Sequence, residues 1–110
     1  MALTGTRTYV GFGFGAIQAG LFLYEAYRSG NFRRLVVAEV LPDLVSNLRL
    51  AGGYYTVNVA YPDRIEPVRI GPVEINDPSV AADRERHVAA VAEAQEIGTA
   101  IPSVSDYQSS

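Results

Sequence analysis

The stretch GFGFGAIQAG, Gly11 to Gly20, follows TRTYV and places four glycines in ten residues, interleaved first with aromatic and then with apolar residues. Such a stretch is either a turn that cradles phosphate or a glycine-rich strand packed closely against a neighbour. What flanks the glycines decides between the two.

On the N-terminal side, RTYVGF (Arg7 to Phe12) reads as a short strand. On the C-terminal side, Ala16 to Arg28 reads as a helix, with Ile17, Leu21 and Tyr24 on one stripe, Leu23 and Tyr27 alongside, and Gly30 as a left-handed cap. The glycines therefore lie between a strand and a helix. In that context a tight turn needs an unhindered residue, a diphosphate needs backbone without a Cβ, and the helix start offers free N–H groups. Gly13 and Gly15 meet the first two needs, and the start near Ala16 meets the third. Counted from Gly13, the pattern G-x-G-x-x-G meets Gln18 where a third glycine is due. Counted from Gly11, the chain satisfies G-x-G-x-x-A.

Further along, RLVVAEV (Arg34 to Val40) is a nearly continuous apolar run with Glu39 at its end, the pattern of a strand buried on both faces of a parallel sheet. Glu39 stands 26 residues after Gly13. A carboxylate at that strand end can accept both hydroxyls of an adenosine ribose and repels a 2′-phosphate, which favours NAD over NADP. Arg33 and Arg34 precede the strand and are badly placed to hold such a phosphate.

Pro42 opens the next helix, with Leu44, Val45 and Leu48 as its apolar face and Gly52-Gly53 as its stop. YYTVNV (Tyr54 to Val59) is a strand, Tyr61 to Arg64 a turn, and Ile65 to Ile75 extended chain that Pro67 and Pro72 confine to an edge or to irregular strands. A helix capped by Asp77-Pro78 runs to about Ala94, with Val80, Val88, Val91 and Ala92 inward and Arg84, Arg86 and Glu93 outward. EIGTAIPSV (Glu96 to Val104) is a last short strand, followed by a polar tail. Strand, helix, strand, helix, extended meander, helix and strand make an α/β order built on right-handed parallel crossovers. The expected fold is Rossmann-like: a mostly parallel sheet with flanking helices, the first half of a dinucleotide-binding domain. It occupies residues 1–104, with 105–110 as tail.

A chain of 110 residues holds one small domain, and 48% apolar with 19% charged residues is a globular composition. The net charge of −3, with Arg33-Arg34 the one adjacent basic pair, argues against a nucleic-acid partner. No cysteine is present, which excludes thiolate chemistry and fits a reducing cytoplasm. The weakly polar stretch from Tyr9 to Tyr24 is too short and glycine-rich for a membrane span, and no secretion signal is legible. His87 has no second His or Cys nearby and reads as structural or solvated; no metal site and no G-x-S-x-G elbow is present. DRER, Asp83 to Arg86, reads as a solvated charged face, and the seven tyrosines as packing residues.

From Tyr9 to about Val104 the chain resembles mannitol-1-phosphate 5-dehydrogenase and the wider long-chain mannitol (polyol) dehydrogenases. GFGAIQAGLF resembles their phosphate loop, VVAEV their second strand with its acid, LVSNLRLAGGYYTVNV their helix leading into a G-x-Y-x-V-like strand, and EIGTAIPSV a strand lying against the cofactor. Gln18 departs from that family, which often has glycine there, and Ser29 to Arg34 is about two residues longer than usual. The resemblance implies NAD as cofactor, with Gly13, Gly15, Ala16 and Ile17 at the pyrophosphate, Glu39 at the adenine ribose, and Thr99 and Ala100 near the cofactor's middle. It implies hydride transfer between a polyol or polyol phosphate and NAD. The family's catalytic lysine lies in a further domain. All nine basic residues here are arginine, so no catalytic residue is assigned and this chain alone is expected to bind without turnover. The alternatives are a non-catalytic nucleotide-binding or subunit-docking module, and either a remnant that has lost binding or a truncated product whose exposed sheet edge drives self-association into a homodimer.

Overall fold

The computed structural model describes residues 3, 5–15 and 18–99. Within them the chain is α/β. Strand β1 (Arg7–Phe12) leads through a glycine loop into a π-helical turn (Gln18–Phe22) and helix α1 (Leu23–Ser29). There follow β2 (Phe32–Ala38), α2 (Pro42–Leu50), β3 (Tyr55–Tyr61), β4 (Arg64–Ile70), β5 (Val73–Asn76), α3 (Ala81–Glu93) and β6 (Glu96–Thr99).

Four strands form one sheet in the order β5-β2-β1-β6, every neighbouring pair parallel, and β3 and β4 form a separate antiparallel hairpin. The parallel strands thus read third, second, first, fourth. The sheet grows in one direction up to β5, and the chain then crosses back to place β6 on the far side of β1. Such a reversal leaves a crevice at the carboxyl ends of the two strands that flank it, β1 and β6.

Strand β2 is central, and its uninterrupted apolar run has the expected cause. Leu35, Val36 and Val37 are fully buried because both faces of the sheet are covered. On one face Tyr9, Leu35, Val37, Val73 and Ile75 pack with Leu23, Ala26 and Tyr27 of α1 and Val45 and Leu48 of α2. On the other, Val10 and Val36 meet Ala90 of α3. Pro42 takes the first helical position of α2, and Gly52 and Gly53 end it at φ of 67° and 86°.

Three expectations are corrected. Leu21 is 51% exposed instead of inward, because the π turn advances the helix by more residues per turn and shifts the apolar stripe to Leu23, Ala26 and Tyr27. The extended stretch after Tyr61 does keep to edges, as Pro67 and Pro72 require: β4, with Pro67, is one strand of a two-stranded ribbon, and β5 is an outer strand of the parallel sheet.

In α3 the buried face is Asp83, His87 and Ala90, while Val80 and Val88 are 47% and 64% exposed and Ala92 faces outward. The cause is polar. The Asp83 carboxylate accepts from the Asp77 N–H at 2.9 Å and from Arg49 at 2.7 Å, and also pairs with Arg86. Arg49 in turn donates to the Ile75 carbonyl at 2.8 Å, so one guanidinium ties α2, β5 and α3 together at the sheet edge. Burial works against charge on Asp83, but these donors outweigh it and hold its pKa below the usual value. Nor is DRER a fully solvated face: Asp83 is 3% exposed.

His87 packs edge-on to Phe12 with ring centroids 5.0 Å apart, its Nδ1 3.5 Å from the Asn76 amide, and its buried Nε2 has no hydrogen-bond partner among the described residues. Burial lowers its pKa, so the folded state holds it neutral.

The unfolded chain therefore binds protons before the folded one does, and stability falls with falling pH at both groups. We expect the first loss to begin below about pH 6.5, from His87, and a second below about pH 3.8, from Asp83. In denaturant unfolding across pH, His87→Leu should remove the first slope. Asp83→Asn should remove the second and cost about 1.5–3 kcal/mol at pH 7, the range for hydrogen bonds to a charged group.

Candidate functional site

The site lies where β1 and β2 end and the first helix begins. The Gly13 N–H donates to the Ala38 carbonyl at 2.7 Å, so the loop leaves β1 still attached to β2. Gly13 has φ of 83°, a left-handed value that favours glycine. The Gly15 carbonyl accepts from the Ala19 N–H at 2.9 Å, so the helical ladder starts at the loop itself. Among the described residues, and apart from its chain neighbours, no heavy atom lies within 4 Å of where a Cβ on Gly15 would stand, so open space lies there.

Glu39 is brought to this loop, as its position at the end of β2 predicts. One carboxylate oxygen accepts from the Phe14 N–H at 2.7 Å and the other from the Leu41 N–H at 2.9 Å. The side chain is only 7% exposed. Each oxygen has a further lone pair, so the carboxylate keeps the capacity to accept from hydroxyls. Thr99 closes β6 opposite Phe12, which sets it at the same end of the sheet. Ala16, Ile17 and Ala100 lie outside the described residues. Gly13, Gly15, Glu39 and Thr99 thus share the carboxyl end of the parallel sheet.

Gln18 is the residue whose role the sequence left open. It is completely buried. Its Oε1 accepts from the Tyr9 hydroxyl at 2.5 Å, and its Nε2 donates to the Gly98 carbonyl at 3.1 Å and, more weakly, to the Phe12 carbonyl at 3.4 Å. The side chain therefore ties the ends of β1 and β6 together beneath the loop. A glycine at this position of a dinucleotide loop lets the helix approach the strand. Here the room is made on the strand instead: a Cβ on Gly11 would stand 2.7 Å from the Gln18 carboxamide. A Cβ on Gly98 would overlap the Tyr9 hydroxyl, so β6 is kept bare at the same spot. Burial, with a smaller contribution from Glu96, pushes the Tyr9 phenol up to about 12 despite its bond to Gln18, and the hydroxyl stays protonated as donor.

A second tyrosine was also read as packing alone. The Tyr55 hydroxyl donates to the Ala19 carbonyl at 2.6 Å, and its ring meets Phe14 edge-on at 5.1 Å. Burial first, then the nearby Tyr9, raises its pKa well above the usual phenol value. The spacing of Tyr9, Gln18 and Tyr55 in the sequence carries no signal of these meetings, which depend on how the hairpin and β6 dock.

A groove of about 610 Å³ lies between α1 and the outer side of β6, with Tyr9, Phe22, Ala26, Phe32 and Ile97 among its walls. It is separate from the glycine loop. Among the described residues no helix is long and apolar enough to cross a membrane. No family model, no curated protein and no solved structure matches the chain.

The packing of Gly11 against Gln18 generates a test. Gly11→Ala should destabilise the protein by about 1–3 kcal/mol through overpacking, and the cost should shrink in a Gln18→Ala background, where the added methyl finds space. Urea unfolding of both single variants and the double variant measures the non-additivity.

Proposed function

We propose that this chain is a dinucleotide-binding fold of the Rossmann type that holds NAD(H) at the carboxyl end of its parallel sheet. Among proteins of that class, we assign it to the polyol and polyol-phosphate dehydrogenases, as the cofactor-binding portion of an oxidoreductase. The observation that carries the reading is the meeting of Glu39 with the glycine loop, through the Phe14 N–H at 2.7 Å. An acid from the end of β2 and a helix-opening loop after β1 stand within one hydrogen bond of each other, beside the crevice that the strand order creates.

The residues fit the cofactor's chemistry. Open space over Gly15 admits a diphosphate to the backbone, where a side chain would obstruct it. The buried carboxylate of Glu39 accepts ribose hydroxyls and disfavours a second negative charge at the 2′ position. NAD, when bound, supplies the hydride acceptor at nicotinamide C4 for oxidation of a carbinol carbon. The polyol assignment rests on the resemblance of the loop, the acid-ended strand and the G-x-Y-x-V-like strand to that family. Partners follow from it: NAD(H) here, and a polyol or its phosphate where a substrate domain is joined.

The second reading, a non-catalytic nucleotide-binding or docking module, is favoured by one set of observations. No lysine exists in the chain, and its one histidine is buried between α3 and the sheet.

Calorimetric titration with NADH, NADPH and NADH against the Glu39→Ala variant tests the binding claim. We expect saturable NADH binding, NADPH weaker by at least about tenfold, and loss of NADH binding in the variant, each tenfold being about 1.4 kcal/mol. Absence of NADH binding by the well-folded chain overturns the proposal for this chain. Equal affinity for NADPH overturns the role given to Glu39.

A further inference from the structure

The β3–β4 hairpin is not required by the topology. A crossover between parallel strands needs a helix, and α2 already supplies one. A two-stranded ribbon is also only marginally stable by itself. This one is rooted firmly. Ile70 at its base is fully buried, and the Gly53 carbonyl accepts from the Val73 N–H at 2.8 Å. A Cβ on Gly53 would stand 2.6 Å from the Val73 carbonyl oxygen, so the hairpin's root lies directly against β5.

What the rooted hairpin delivers is Tyr55, at two points of the glycine loop. Its ring packs edge-on against Phe14, whose N–H is the one that Glu39 holds. Its hydroxyl donates to the Ala19 carbonyl, and the Ala19 N–H donates to the Gly15 carbonyl. Phe14 and Gly15 are consecutive, so one side chain restrains both, the first directly and the second through the Ala19 peptide. Phe14 lies between two glycines, where the backbone has the most freedom to lose.

We infer that the hairpin is a brace for the glycine loop and that Tyr55 is its positioning residue, holding Phe14 and Gly15 in the shape in which they receive the diphosphate of the dinucleotide. This rests on the dinucleotide reading for its ligand, but not for the brace itself. A loop already ordered before binding spends less of its interaction energy on ordering.

The test uses amide hydrogen exchange of the whole, ligand-free chain together with NADH titration. It compares Tyr55→Phe, Tyr55→Leu, which keeps an apolar side chain in place, and Phe14→Ala. The Val36 amide in the centre of the sheet reports global stability. Relative to Val36, exchange at the Phe14 amide should rise by about three- to tenfold in Tyr55→Leu and Phe14→Ala, the range expected for losing one aromatic pair. Tyr55→Phe, which keeps the ring, should return Phe14 to its wild-type rate. The NADH dissociation constant of Tyr55→Leu should rise by a similar factor. Exchange at Phe14 that changes only in step with Val36 overturns the brace. Faster exchange at Phe14 with unchanged NADH affinity overturns its role in binding. If the wild type binds no NADH while Phe14 exchange responds as stated, the brace stands and the dinucleotide reading falls.

Discussion

A fully buried primary amide has to find partners for its oxygen and its nitrogen, and the first helix places that demand at Gln18. Much of the local architecture satisfies it. Tyr9 reaches from β1 to donate to the oxygen, and the carbonyls of Phe12 and Gly98 accept from the nitrogen. Gly11 and Gly98 are bare because a Cβ on either would collide with Gln18 or Tyr9. The π turn begins at Gln18 itself. The amide thus links β1 and β6, the two strands at which the sheet order reverses, and the loop rests on a polar strut where an all-glycine loop would rest on close backbone packing.

The opposite edge of the sheet is held by charge. Asp83 gathers the Asp77 N–H and two guanidinium groups, and Arg49 continues from it to the backbone of β5. Arg34 of β2 spans Glu74 of β5 with a forked pair at 2.8 and 2.9 Å and reaches Glu93 of α3 at 2.6 Å, where Thr8 also donates. The exposed members add little each, as surface ion pairs do. The buried one decides which face of α3 turns inward.

The parallel sheet was legible because β2 cannot be apolar on both sides without cover on both sides, and because Pro42 and the Gly52-Gly53 pair mark helix ends by backbone geometry. Glu39 was legible for the same reason: a strand end next to a strand–helix loop leaves an acid few other places to point. The buried face of α3 was not. Its inward residues are Asp83 and His87, which an apolar count assigns to solvent, and only the arrival of Arg49 from α2 reverses that. The hairpin was hidden by Pro67 and Pro72, which signal an edge without saying which strand it borders. Gln18 looked like a flaw in a motif because its compensation, Gly11, lies seven residues earlier on another element.

Several of the contacts that shape the site span long distances along the chain. Phe14 is held from residue 39 and residue 55, Ala19 from residue 55, and Gln18 from residue 98. None can form in a peptide containing the glycine loop alone, where closing such loops has no compensating core. The loop therefore takes its shape only when β2, the hairpin and β6 have all docked on β1. Its order is tied to the stability of the whole domain, and any change that loosens a distant element, such as the root of the hairpin at Gly53, also loosens the backbone over Gly15. A site of this kind trades local autonomy for a fixed shape.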